Sequence, residues 1–89
     1  MNHQELRTNL RKLRAELQQT ESLDGREREM FQRLSADIEE LLAREDEQPQ
    51  HWSTLRERLS ESLAQLEASH PQVTLLMRQA VDSLAYLGV

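Results

Sequence analysis

A chain of 89 residues, 30% charged, 3% aromatic and free of cysteine, can build one small core and no disulfides or thiolate metal sites. Its net charge of −5 argues against nucleic-acid binding, because phosphate affinity comes from clustered cations. MNHQELRTNLRKLR at the start has no apolar signal region, and no apolar run approaches the ~20 residues that span a bilayer. A cytoplasmic protein without a membrane role is expected.

Leu, Glu, Arg, Gln and Ala dominate the chain and β-branched residues are scarce, a helix-forming composition. The first helix is expected over about residues 3–19. There Leu6, Leu10, Leu13 and Leu17 fall within about 60° of the helix circumference. So narrow a stripe has the character of a coiled-coil seam and suits a helix at the edge of a bundle. Arg7, Arg11 and Arg14 line one flank of it, and Glu5, Lys12 and Glu16 the other. Residues 1–20 carry a net +2 and residues 21–47 a net −6. The arginine row is therefore expected to pair with acids of the second helix such as Glu39 or Asp46. Its alternative role is to meet nucleic-acid phosphates.

TESLDG interrupts the pattern. Asp24 followed three residues later by Glu27 predicts a capping box. A second helix over about 25–45 presents Met30, Phe31, Leu34, Ile38, Leu41 and Leu42. The acidic run at Glu45, Asp46 and Glu47 opposes the helix macrodipole and predicts a frayed end. A third helix begins between Pro49 and Ser53, taken as 51–68, with Trp52, Leu55, Leu59, Leu63 and Leu66 on one face.

LEASHPQVTLLM then raises the choice between a chemical site and a corner. Proline disfavours the α conformation in the residue before it, and a helix N-cap is itself extended. His70 as N-cap with Pro71 in the first helical position satisfies both. The fourth helix, about 71–87, carries Val73, Leu76, Met77, Ala80, Val81, Leu84 and Leu87 on an arc of about 120°. Leu75 and Tyr86 point to the opposite side, with Val89 close by. These three residues are the candidate interface.

Catalytic constellations are missing from this pattern. In the sequence His70 has only Glu67, Ser69 and Gln72 nearby, His3 and His51 stand near helix starts, and no His-x-x-x-His spacing occurs. There is no G-x-S-x-G elbow, S-x-x-K motif, P-loop or G-x-G-x-x-G. Adjacent Glu39 and Glu40 point about 100° apart on a helix and do not form a carboxylate pair. The expectation is a non-enzyme with no cofactor, no metal and no small-molecule substrate.

ELRTNLRKLRAELQQTESLDG, LSADIEELLA and LEASHPQVTLLMRQAVDSLAYLGV together resemble a family of small bacterial proteins catalogued as domain of unknown function family 4404. The LEASHP corner followed by an apolar helix ending in LGV is the most specific part. The resemblance implies a bacterial all-α protein and brings no activity, cofactor or site residue with it. The residues themselves predict an all-α domain of four helices packed as antiparallel pairs. It is expected to be a homodimer or to dock a protein partner.

Overall fold

The computed structural model describes residues 3–44, 48–66 and 70–88. Four helices follow one another: α1 (His3–Gln19), α2 (Gly25–Ala43), α3 (Pro49–Leu66) and α4 (Pro71–Tyr86). Local chemistry explains their ends. At the start of α2, Glu27 N–H donates to Asp24 Oδ1 at 2.8 Å and Asp24 N–H donates to Glu27 Oε1 at 3.2 Å. This is the predicted capping box, and it satisfies two backbone donors at once.

Three boundaries differ from expectation. Helix α2 stops at Ala43 rather than near 45, because Arg44 is extended and closes the last turn with its N–H on Leu41 O at 3.3 Å. The acidic run expected to fray, residues 45–47, lies outside the described residues. Helix α3 starts at Pro49 rather than 51, as a proline without an N–H is tolerated in a first turn; its expected end at 68 lies outside the described residues. Helix α4 ends at Tyr86 with Leu87 as C-cap. Gly88 takes φ 83°, and its N–H donates to Ala85 O at 3.0 Å. A glycine in this left-handed conformation stops a helix at no steric cost.

Helix α1 packs against α2 and α4, and α3 packs against α4 and α2; the α2–α3 seam is the sparsest. The helices therefore stand around a square in chain order. Arg7 near the start of α1 meets Leu42 at the end of α2 and Trp52 at the start of α3, and Glu27 at the start of α2 meets His70 at the start of α4, contacts that set each helix antiparallel to its neighbours. The square corrects the expectation that α1 lies at an edge. Each helix has two neighbours, and the narrow stripe of α1 suffices because it points down the bundle axis. Leu6, Leu10 and Leu13 are fully buried there with Ile38, Leu59, Met77, Ala80 and Leu84.

Three serines are buried with partners, Ser35 accepting from Gln18 Nε2 at 3.2 Å. Ser83, almost fully buried, accepts from Asn9 Nδ2 at 3.0 Å, and Ser62 donates to Arg58 O at 2.9 Å. Buried hydroxyls so satisfied cost little.

Replacing Leu10 by Ala removes axial volume and should cost about 2–4 kcal/mol. Replacing half-exposed Leu75 by Ala should cost under about 0.5 kcal/mol in dilute solution. Urea unfolding followed by helical circular dichroism measures both.

Candidate functional site

Three places on the bundle bear on function: the corner before α4, the arginine flank of α1 and the outer face of α4. The corner keeps the geometry expected of it, with His70 as N-cap and Pro71 opening the helix. Thr74 N–H donates to His70 O at 2.9 Å. The imidazole, however, makes no capping bond. Its Nε2 donates instead to Glu27 Oε2 at 2.9 Å, and its ring stands edge-on to Phe31 with centroids 5.6 Å apart.

Sequence neighbours alone had offered His70 no oriented carboxylate; folding supplies one from 43 positions away. Glu27 thus has two tasks. One carboxylate oxygen closes the capping box of α2 and the other holds the corner of α4. Since α2 and α4 stand diagonally across the square, this contact ties two helices that share no seam. Glu67-x-x-His70 is a Glu-x-x-His spacing, which dimetal bundles use on two helices. It occurs once in this chain, and Glu67 lies outside the described residues. Among the described residues no three His, Asp or Glu side chains are grouped to hold a metal ion. Of the other histidines, His3 stands edge-on to Trp52 at 6.4 Å. His51 lies in the first turn of α3, its N–H on Gln48 O.

The arginine flank of α1 meets α2 through Arg7. Arg7 donates to the Leu42 carbonyl at 3.2 Å and holds its guanidinium 6.0 Å from the Trp52 ring centroid. An Arg at a helix C-terminus is favoured by the macrodipole and by stacking on the indole. Glu39 is taken by Gln18 at 3.2 Å, and Asp46 lies outside the described residues. Arg11 and Arg14 have no hydrogen-bond or ion-pair partner among the described residues. Arg7 acts as a clamp within the bundle, while Arg11 is exposed and Arg14 partly exposed.

Helix α4 turns Leu75 and Tyr86 outward, 50% and 71% exposed. They are the large apolar side chains given up to solvent in the described residues. Val89, the third candidate, lies outside those residues. Arg78 and Asp82 share this face and are both exposed. One open cleft of about 540 Å³ lies between the end of α1 and α2, and another of about 510 Å³ runs along the sparse α2–α3 seam. Two rim arginines of the latter are paired within the chain, Arg33 with Glu29 and Arg58 with Asp37.

This fold and these sites define a small antiparallel four-helix bundle, tied by a histidine–glutamate contact at one end. The chain belongs to the family described as a domain of unknown function, DUF4404, whose model matches residues 6–89. No curated protein and no solved structure matches it significantly. No helix among the described residues is long and apolar enough to cross a membrane.

The dual task of Glu27 predicts an ordered set of variants. Glu27→Gln keeps one acceptor oxygen for the Asp24 N–H and turns an amide N–H toward His70 Nε2, which accepts it in the other imidazole tautomer, and should cost under about 1 kcal/mol. Glu27→Ala loses the cap and the corner and should cost about 2–3 kcal/mol. His70→Asn, neutral if the residue were only an N-cap, should cost about 1–2 kcal/mol because the shorter side chain cannot replace the ring on Glu27 and Phe31. Denaturant midpoints of the three variants test the order.

Proposed function

We propose that the protein is a non-catalytic interaction module that self-associates through the outer face of α4. The observation that carries this reading is the outward placement of Leu75 and Tyr86 on a helix whose other face already fills the core. Burying a leucine contributes about 1.5–3 kcal/mol, and a tyrosine suits an interface because its ring is apolar while its hydroxyl can remain at a wet rim. The fold does not call on either side chain. Their exposure in one copy leaves their burial to a second.

Self-association predicts a solution mass above that of one chain at high protein concentration. The double variant Leu75→Gln, Tyr86→Ser should remain helical and have the mass of one chain. Sedimentation equilibrium reads both. A native protein that stays monomeric over the whole concentration range, or a double variant that unfolds, defeats the reading.

A polyanion-binding role is the second reading, and exposed Arg11 beside partly exposed Arg14 favours it. Two or three cations on an acidic chain support only a shallow salt dependence and weak affinity. Fluorescence anisotropy with duplex DNA and with RNA should show no binding at physiological ionic strength. Micromolar binding that weakens with salt and disappears on replacing Arg7, Arg11 and Arg14 by Gln would promote this reading over the first.

A further inference from the structure

The self-association reading can be carried to a geometry, on which the following rests. Leu75, Arg78, Gln79, Asp82 and Tyr86 lie within an arc of about 100° on the solvent side of α4. Four of the five are marked by charge or apolar character, and their order along the helix is apolar, basic, acidic, apolar.

Arg78 and Asp82 are spaced as an intrahelical pair, yet neither has a hydrogen-bond or ion-pair partner among the described residues. Elsewhere in the bundle the same spacing does pair, Glu29 with Arg33 at 3.6 Å and Glu40 with Arg44 at 2.9 Å. The difference has a physical reason. Those pairs place the acid N-terminal to the base, the favoured orientation, whereas α4 has the base first. Arg78 and Asp82 are thus left with their charges available on the same face as the two exposed apolar residues.

The positions are also self-complementary. The midpoint between Arg78 and Asp82 falls at residue 80, and the midpoint between Leu75 and Tyr86 falls half a residue further on. Half a residue is about 0.75 Å along a helix. One two-fold axis therefore serves both pairs. We infer that a second copy of the chain docks with its α4 antiparallel to this one across a two-fold axis at the level of residue 80. Leu75 then packs on Tyr86 of the other copy and Arg78 pairs with Asp82 of the other copy, each contact occurring twice. Such a surface, meeting itself, is the ordinary isologous dimer interface.

Charge favours a second copy on this face. The chain carries −5 overall, so two copies repel across most orientations. Residues 71–89 carry one cation and one anion, and the two-fold places unlike charges opposite each other. The size of the contact sets its strength. A helix of 16 residues is about 24 Å long, and a contact along one such face lies at the small end of specific interfaces, below about 1,200 Å² in total. The dimer is therefore weak and exchanges with concentration.

The test is a charge swap in the full chain, read by sedimentation equilibrium, with helical circular dichroism as a check on folding. Arg78→Asp places acid against acid twice in its own dimer, and Asp82→Arg places base against base twice. Each alone should weaken dimerisation by about tenfold or more. Mixed one to one, with one variant carrying a mass tag, they should form a heterodimer about as tight as the native dimer, because every cross pair is again of opposite sign. A native protein that is monomeric throughout overturns this geometry together with the self-association reading. A native dimer whose two variants still dimerise, or whose weakened variants fail to recombine, overturns the geometry alone and puts self-association on another face.

Discussion

The bundle depends on the burial of one leucine seam. Without disulfides, and with three aromatic residues in the whole chain, an 89-residue domain has little besides aliphatic packing to oppose chain entropy. Helix α1 contributes its leucines at 4-3-4 spacing and almost nothing else apolar, so its register against α2 and α4 is set by where those leucines fit. The square arrangement follows. Four helices of 16 to 19 residues joined by short connections stand antiparallel to their chain neighbours, and their apolar stripes meet on one axis. Polar residues on the flanks then find partners by position, as Asn9 does with Ser83 and Gln18 with Ser35 and Glu39.

A square of this kind leaves its diagonals unlinked by helix packing, and the histidine–glutamate contact is informative for that reason. It joins the start of α2 to the start of α4, two ends that lie at the same pole because the helices are parallel across the diagonal. A single carboxylate serves as capping partner and corner anchor, so local helix initiation and long-range order are coupled at Glu27. At the opposite pole Arg7 plays a comparable part, closing the C-terminal carbonyl of α2 at Leu42 and covering Trp52 at the start of α3. Each pole is thus held by one polar side chain that reaches across helices, while the middle is held by aliphatic volume.

Helix α4 separates what the monomer needs from what it does not. Its inner positions Val73, Met77, Ala80 and Leu84 are buried, and its outer face retains Leu75 and Tyr86 beside two charges that their own helix pairs poorly. Scattered exposed apolar residues are common on proteins; here they lie on a neutral, self-complementary strip of an acidic chain. That supports the proposal that a second copy of the chain covers this face.

Periodicity alone determined the four helices, the core positions and the Asp24–Glu27 cap, because each depends on residues within a few positions of one another. The proline corner was legible for the same reason: the constraint on His70 comes from its immediate neighbour. Helix ends shifted by one or two residues, since a last turn is decided by hydrogen bonds worth little individually. The outward direction of Leu75 and Tyr86 followed from the helical repeat. Tertiary structure alone decided where the polar side chains of one helix meet another. The ring of His70 reaches Glu27, and Arg7 reaches the Leu42 carbonyl and the Trp52 indole. These contacts join residues more than thirty positions apart, and their pairing depends on the order of helices around the axis. A stripe of leucines specifies that a helix must be covered and leaves open which neighbour covers it, so no reading of spacing or net charge could choose the partners before the bundle closed.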